Sequence, residues 1–439
     1  MASVEEYAHS LTGGMAPVTT FLDSLPARPR LLGLGEPTHL EEALGELRNE
    51  IFRHLVEHEG YRAFALESDC LMGLAVDDHV VHGTGTLEEA MARGFSHGFG
   101  ASPANRELVR WMRAYNAGRP EPERLRFFGF DAPLEMTLAA SPRQALTALH
   151  AYLVPHLDPG LLPCSAATLD RLLGADDRWA NPDAAMDPAR SVGRSAEARE
   201  LRLLADDLVA LLDAHTPHLL AATPPAAWWR ARLSGRTATG LLRYHFWMAD
   251  TSDQRVARMM CLRDGMMAAN LQAVAEHGPA LVHAHNRHLQ RELSTWQLAD
   301  LPLLRWWSAG AITGARLGHG YAFLATAVGA IRHHGLGDPN PGTVEGVLSA
   351  LPDDTYLVDA RRLAAGLAGV ELTPRTDQAD RHGYFPLDPA HLADLDGIVF
   401  MKDVRPGVQM ACRSTRSPSV PLTSRSNPTV SSSTPGSGS

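Results

Sequence analysis

The sequence has few cysteines, no long apolar run and no excess of positive charge. Its 439 residues include 4 cysteines, at positions 70, 164, 261 and 412, which form no C-x-x-C pair and no disulfide framework. No apolar run approaches the roughly 18 residues that a membrane helix needs, and the N-terminus lacks the basic and apolar regions of a signal peptide. The formal net charge of −10 leaves no basic face for nucleic acid. These absences predict a cytoplasmic protein without a membrane or nucleic-acid partner.

Short apolar runs alternate with helical patterns along the chain. Each run is rich in Leu, Val, Phe or Ala and lies near Gly, Asp or Pro, as buried strands do. The runs lie at residues 31–34, 63–66, 125–130, 280–283, 321–328, 355–358 and 398–401. Their alternation with helices predicts an α/β fold, with a mostly parallel central sheet that carries helices on both faces.

A long stretch without a strand pattern interrupts this alternation. Residues 141–270 are rich in Ala and Leu with regularly spaced charges, which predicts a helical insertion or cap that forms one wall of a cleft. Residues 1–140 and 271–410 are then the two parts of the α/β core. Ser, Pro and Thr dominate residues 411–439, which we expect to be a disordered tail.

Polar side chains follow the first two predicted strands. Glu36 and His39 lie in the turn after the first strand, and Glu67 ends the second. Arg48 lies at the edge of the apolar stripe of the intervening helix. Because open α/β sheets bind ligands at the carboxyl ends of their strands, these residues are predicted to form a catalytic cluster. A carboxylate can orient an imidazole and make it a better base. A purely structural salt bridge of Arg48 with the two carboxylates is the alternative.

A second group of histidines follows the predicted strand at residues 280–283. His283, His285 and His288 fall within six residues, and His285 lies at the strand's exit, where a site on the same sheet edge would be. This density leaves a zinc enzyme that uses His39, His285 and His288 as an alternative. The spacing H-x-H-x-x-H does not match helical metal motifs such as H-E-x-x-H.

Residues 94–98 match the G-x-S-x-G pattern of a nucleophile elbow. That motif requires a strand before the serine and a helix after it, whereas the residues that precede it here have a helical pattern. A serine hydrolase that uses Ser96, Asp131 and His285 is an alternative, because this is the order of the triad in α/β-hydrolases.

Taken together, these residues resemble the erythromycin esterase family over roughly residues 25–405. The most specific part is G-E-x-x-H at residues 35–39, followed by Arg48 nine residues later and by a strand that ends in Leu66-Glu67. Three further landmarks occur in the expected order: GFDAP at residues 129–133, RDGMMAANL at 263–271 and AHNRHLQ at 284–290.

The resemblance implies a hydrolase, without metal or cofactor, that opens the lactone of 14-membered macrolides and so confers antibiotic resistance. It implies that His39 is the general base that activates water and that Glu36 holds His39 or the water. The remaining residues that it carries over are Glu67 and Arg48 in the polar network, His285 at the oxyanion or leaving alcohol, and His288, Asp131 and Arg263 in support. The partner is then a small molecule, a macrolide or another ester or lactone. A biosynthetic or self-protection enzyme for another natural product, or a protein that only binds its ligand, are further alternatives. The oligomeric state is not predicted.

Overall fold

The computed structural model describes residues 4–135, 138–297, 302–377 and 383–406. The predicted disordered tail, residues 411–439, lies outside the described residues.

The strands of the described residues are short and mostly buried. In chain order they are β1 (Ala8–Ser10), β2 (Leu31–Glu36), β3 (Ala63–Asp69), β4 (Arg126–Asp131), β5 (Leu134–Glu135), β6 (Leu138–Ala139), β7 (Ala280–His285), β8 (Leu293–Trp296), β9 (Leu304–Trp307), β10 (Tyr321–Ala330), β11 (Thr355–Asp359) and β12 (Gly397–Asp403).

The helices lie between these strands and in one long uninterrupted series. They are α1 (Ala16–Ser24), α2 (Glu42–His58), α3 (Gly73–His82), α4 (Leu87–Arg93), α5 (Pro103–Asn116), α6 (Arg143–Leu153), α7 (Ala166–Leu173), α8 (Ala196–Ala214), α9 (Thr216–Ala222), α10 (Pro225–Met248), α11 (Arg255–Ala275), α12 (Asn286–Leu289), α13 (Ala309–Leu317), α14 (Val344–Ser349) and α15 (Ala360–Gly366).

Eight of the strands form one sheet in the order β1-β11-β12-β10-β2-β7-β3-β4. Every neighbouring pair from β12 to β4 is parallel, whereas β11 and β1 are added antiparallel at one edge. The prediction of a mostly parallel α/β sheet is therefore confirmed.

Both faces of the sheet are covered because successive side chains of a strand point to opposite sides. Leu32 of β2 packs with Ile51 of α2 and Met112 of α5 in one apolar cluster. Its neighbour Leu31 packs in another cluster, with Leu271 of α11. Helices thus lie on both faces of the sheet, as the alternation of runs predicts.

Residues 143–275, all of which the structure describes, contain helices and turns but no strand. Helix α10 packs against α6, α8 and α11, and the helices share their own apolar cluster, with Leu149, Leu208 and Leu219 in its core. Helix α11 leads out of this series and packs against β4, which places its side chains near the ends of the strands.

No helix of the described residues combines the length and the apolar character that crossing a lipid bilayer requires.

Candidate active site

Four adjacent parallel strands end in polar residues at the same edge of the sheet. Strands β2, β7, β3 and β4 lie side by side in that order, and they carry Glu36, His285, Glu67 and Asp131 at or near their carboxyl ends. Glu36 lies directly opposite His285 in the β2–β7 pairing. The candidate site is thus built at the place where open α/β sheets bind ligands.

His39 lies in the turn after β2 and is held by Glu36. Its Nδ1 lies 2.6 Å from Oε1 of Glu36. The imidazole is 39% exposed, whereas the carboxylate is 6% exposed. A carboxylate accepts from the Nδ1–H, so Nε2 is the nitrogen that can accept a proton. Within the parts of the chain that the structure describes, no group hydrogen-bonds to Nε2 of His39.

His283, which received no role in the sequence analysis, lies behind Glu36. Its Nε2 is 3.3 Å from Oε2 of Glu36, and its Nδ1 is 2.9 Å from the carbonyl oxygen of Leu34. It is almost fully buried. Each oxygen of Glu36 therefore contacts one imidazole, His39 on the cleft side and His283 on the core side. The sequence did carry a signal for His283, because it lies two residues before His285 and such residues of a strand point to the same face.

The charges in this cluster outweigh the effect of burial on ionisation. Burial disfavours the imidazolium of His39, but the negative charges of Glu67 and Glu36 raise its pKa to about 9. Burial alone would raise the pKa of Glu67, yet His288, His39 and Arg263 lower it to about 2. The pKa of Glu36 is also lowered, because His283 and His39 overcome its burial. Both carboxylates are therefore ionised at neutral pH.

Glu67 connects the strand ends to one another. Its Oε2 accepts the backbone N–H of His285 at 2.8 Å, which fixes the end of β7 against the end of β3. Its Oε1 lies 3.3 Å from Nη2 of Arg263 and 3.3 Å from Nε2 of His288. Both oxygens of this buried carboxylate thus bond groups from other elements of the site, so Glu67 joins them together.

Arg263 of α11 ties the helical stretch to the sheet edge. Its Nη2 is 2.6 Å from Oδ2 of Asp131, and its Nε contacts both carboxylate oxygens at 3.2 Å. Asp131 also contacts Nε2 of His97 at 3.1 Å. Arg263 presents no unpaired positive charge to the cleft, because it forms ion pairs with Asp131 and Glu67. Its position fits a supporting residue.

The next residue of α11, Asp264, holds His288. Oδ1 of Asp264 lies 2.9 Å from Nδ1 of His288, and Oδ2 accepts the indole N–H of Trp306 at 2.8 Å. Asp264 also accepts the backbone N–H of Ala309. The resulting series Trp306–Asp264–His288–Glu67 joins β9 to the site. Neither Asp264 nor Trp306 was predicted, because only the folded sheet brings them to His288.

His285 lies beside His39, with ring centroids 5.2 Å apart. Its Nε2 is 3.0 Å from the carbonyl oxygen of Gly383, and its Nδ1 accepts the backbone N–H of Arg287 at 3.2 Å. Burial and the neighbouring charge of His39 lower the pKa of His285 to about 4. His285 is therefore a neutral imidazole whose N–H at Nε2 donates to a main-chain carbonyl.

Arg48 bonds a neighbouring side chain of its own helix rather than a carboxylate at the strand ends. Its Nε and Nη2 donate to Oδ1 of Asn49 at 3.1 and 2.8 Å, and its guanidinium lies over the ring of Phe64. It borders a small cavity of about 10 Å³ together with His283. We expected Arg48 to contact Glu67 directly, but no such contact occurs among the described residues. Its charge instead acts on Glu36 from the core side.

The surroundings of Ser96 differ from those of a nucleophile elbow. The serine follows helix α4, which begins with a capping box at Thr86, rather than a strand. Its buried Oγ accepts the backbone N–H of Asp69 at 2.8 Å and contacts Oγ of Ser68 at 3.2 Å. Asp131, its expected triad partner, is bonded to Arg263 and His97. The hydroxyl of Ser96 thus stabilises a buried turn through these hydrogen bonds.

Two residues in the left-handed region of backbone space flank the cleft. Leu40, directly after His39, has φ 64°, and His97 has φ 55°. Phe99 contacts His39 edge to face at a centroid distance of 5.6 Å. Strained backbone of this kind costs about 1–3 kcal/mol per residue and is often found at functional sites.

Comparison with known proteins relates the chain to one family. The erythromycin esterase family model matches residues 56–404. Glu67, Asp131, Arg263, His285 and His288 lie within that range, whereas Glu36 and His39 precede it. No curated protein sequence matches the chain.

Solved structures with the same fold cover nearly the whole chain. A Bacillus cereus protein has 18% sequence identity and a TM-score of 0.68, over 92% of this chain and 96% of its own. A succinoglycan biosynthesis protein has 17% identity and a TM-score of 0.65 over the same shares.

A third structure is a histidine-to-asparagine mutant of erythromycin esterase EreC in its open conformation. It has 17% identity and a TM-score of 0.60, over 89% of this chain and 94% of its own. At these identities the structures establish a common fold, and the match of the family model over residues 56–404 establishes kinship. The chain belongs to the erythromycin esterase family of hydrolases.

Proposed function

We propose that the protein hydrolyses an ester or lactone by direct attack of water, without a metal ion, and that His39 is the general base. The observation that carries this proposal is the 2.6 Å contact of His39 Nδ1 with Glu36, which leaves Nε2 without a partner among the described residues. General-base catalysis by a positioned imidazole is typically worth about 10²–10⁴-fold in rate.

The roles of the neighbouring residues follow from their contacts. Glu36 accepts the Nδ1–H and stabilises the imidazolium that forms when Nε2 takes a proton from water. His283 holds the other oxygen of Glu36, so the carboxylate keeps its orientation. Glu67 adds negative charge that strengthens the base. The raised pKa makes His39 a strong proton acceptor, and the ring becomes neutral as pH rises towards 9.

Stabilisation of the developing oxyanion is assigned to His285. Its Nε2–H donates to the carbonyl oxygen of Gly383 at 3.0 Å, and its ring lies beside that of His39. A substrate oxygen that replaces this carbonyl receives the same hydrogen bond, next to the attacking water. Hydrogen-bond donors of this kind contribute about 2.7–4 kcal/mol to transition-state stabilisation.

The arrangement of possible donor atoms favours hydrolysis without a metal ion. Among the described residues, the group of three His, Cys, Asp or Glu side chains whose donor atoms converge within 4.8 Å is Glu41, His333 and His334, which lies outside the catalytic cluster.

We further propose a macrolide lactone as the substrate, a role in macrolide resistance and a cytoplasmic location. Kinship with erythromycin esterases supports this choice of substrate. The fold alone does not select it, because a protein named for succinoglycan biosynthesis shares the fold. A natural-product biosynthesis or self-protection enzyme with the same catalytic residues is the alternative.

The test is mass spectrometry of 14-membered macrolides and simpler esters after incubation with the protein. Hydrolysis adds one water to the substrate, and this product is expected from wild type but not from His39→Asn. If the protein hydrolyses simple esters but leaves the macrolides unchanged, its substrate is another ester rather than a macrolide. No hydrolysis of any compound would contradict the proposed function. Labelling of Ser96 by a fluorophosphonate would instead support the serine mechanism.

A further inference from the structure

A buried carboxylate and two histidines meet outside the catalytic cluster. Glu41 lies at the start of α2, just beyond the turn that follows β2. His333 and His334 belong to the short 3-10 turn Arg332–His334 that follows β10. Because β10 and β2 are parallel neighbours in the sheet, their carboxyl ends bring these residues together.

The three side chains converge closely. Nε2 of His333 is 3.0 Å from Oε2 of Glu41, and Nε2 of His334 is 2.8 Å from Oε1. One donor atom from each residue lies within 4.8 Å of the others, and no other such group of three occurs among the described residues. The side chain of Glu41 is 3% exposed, whereas the imidazoles are 27% and 42% exposed.

We propose that Glu41, His333 and His334 bind a divalent transition-metal ion, with Zn²⁺ as the best match. Two imidazole nitrogens and one carboxylate oxygen form a ligand set that zinc accepts at about 2.0–2.2 Å, with a water molecule as the fourth ligand. Nitrogen donors disfavour Ca²⁺ and Mg²⁺, which take oxygen ligands. In a tetrahedral site the donor atoms lie about 3.3–3.5 Å apart, and here they lie within 4.8 Å of one another, so small movements of the exposed imidazoles bring them to a common ion.

The arrangement has two features that a metal ion explains. First, successive residues of a 3-10 helix point about 120° apart, yet His333 and His334 both turn to the same carboxylate and their rings lie 4.5 Å apart. Second, Glu41 is buried, and among the described residues it forms its ion pairs with these two imidazoles rather than with an arginine. A bound cation compensates the buried charge and orients both rings.

This site is distinct from the proposed catalytic one. Glu41 contacts the turn after β10, whereas His39 contacts Glu36 on the other side of Leu40. A metal ion at Glu41 therefore fixes the start of α2 and the end of β10 without contacting the proposed base. Its role is structural, and its presence is independent of whether the protein hydrolyses macrolides.

Calorimetric titration of the full-length, EDTA-treated protein with Zn²⁺ tests the proposal. We expect wild type to bind one Zn²⁺ per chain, and Co²⁺ to give the visible absorption of a four-coordinate site. Glu41→Gln and His334→Gln are each expected to weaken Zn²⁺ binding at least about tenfold. His218→Gln is the matched control, because His218 is exposed and bonds a main-chain carbonyl far from Glu41.

Zn²⁺ should also raise the melting temperature of wild type and of His218→Gln, but not that of His334→Gln. His334→Gln keeps the test decisive if Glu41→Gln fails to fold, because His334 is the more exposed ligand. Absence of saturable Zn²⁺ binding, or equal binding by wild type and His334→Gln, would overturn the proposal and leave a plain ion-pair cluster. Neither readout depends on hydrolysis, so a failed activity assay does not affect the result.

Discussion

At the scale of single residues, the proposed chemistry depends on one contact, that of His39 with Glu36. The imidazole is partly exposed while the carboxylate is buried between two histidines. A partly exposed side chain can be replaced with little loss of packing, so its catalytic role can be separated from its structural role.

Replacement of His39 should therefore abolish turnover and preserve the fold. We expect His39→Asn and His39→Ala to lower kcat by about 10²–10⁴-fold, the usual contribution of a general base. Steady-state kinetics and circular dichroism check the two halves of this prediction. His391→Asn, which alters an exposed histidine paired with Asp394, should retain full activity. Activity near wild type in His39→Asn would exclude the proposed base.

The raised pKa of His39 predicts an unusual pH dependence. Because the ring must be neutral to accept a proton, kcat/KM should rise with pH and level off above about pH 9. The profile should be recorded with EDTA present, so that metal occupancy at Glu41 stays constant. Activity that falls as pH rises through 9 would show that the imidazolium acts as an acid instead.

The same pKa shift has a consequence for stability. The folded-state pKa of His39 lies above its ordinary value of 6.5, so its contribution to the free energy of unfolding is fully present below about pH 6.5. It is lost as pH rises through 9. The imidazole is 39% exposed, and solvent screening keeps this contribution small.

Leu40 predicts a stabilising substitution next to the site. A non-glycine residue in the left-handed region costs about 1–2 kcal/mol, and glycine removes that cost at an entropic penalty of about 0.5–1 kcal/mol. Leu40, with φ 64°, is half exposed, so Leu40→Gly should raise the free energy of unfolding by up to about 1 kcal/mol. Urea denaturation measures the change. Leu40→Ala, which retains the Cβ, should give no gain, and equal stability of the two variants would contradict the strain.

At the scale of elements, helix α11 joins the helical stretch to the sheet edge through two successive residues. Arg263 bonds Asp131 and Glu67, and Asp264 bonds His288 and Trp306. A shift of this helix therefore displaces the supports of both Glu67 and His288. The role that we propose for this helix is therefore to position the site.

Trp306→Phe tests this connection. It removes the indole N–H that donates to the buried carboxylate of Asp264, and hydrogen bonds to charged groups contribute about 1.5–3 kcal/mol. We expect a loss of about that size in the free energy of unfolding, measured by urea denaturation, together with lower kcat. Trp307→Phe alters the exposed neighbour and should change neither. Equal losses in the two variants would contradict the role of the Trp306–Asp264 bond.

Sequence patterns located the strand ends but not the contacts between them. Short, continuously apolar runs predicted β2, β3, β7 and β10, because buried parallel strands are continuously apolar. The strands β1, β8 and β9 mix polar with apolar residues and therefore give no such run. Likewise, Glu36, His39 and Glu67 follow runs that can be read from the sequence.

Other site contacts depend on tertiary geometry. The helical wheel placed Arg48 at the edge of an apolar stripe, and only the fold decides that it turns inward to Asn49. The carbonyl of Gly383 reaches His285 from 98 residues away, and no local pattern reports such a pairing. The roles of the predicted site residues remain predictions for the kinetic tests above.

At the scale of the whole molecule, the order of the strands assembles the site. Strand β7 lies between β2 and β3, although Leu31–Glu36 and Ala63–Asp69 precede Ala280–His285 by more than 200 positions in the chain. The family model begins at residue 56, so Glu36 and His39 precede the matched region, and β2 pairs with β10 and β7 inside it.

The insertion of β7 has a consequence for how the protein is made. During synthesis, the first two strands of the site emerge long before the strand that must separate them, and closing so long a loop is entropically costly and slow. Until then their backbone edges are available to wrong partners, including each other and other nascent chains. Assembly of the proposed site therefore has to wait until residues 280–285 have been synthesised, and a chain that stops before Ala280 lacks the strand that separates β2 from β3.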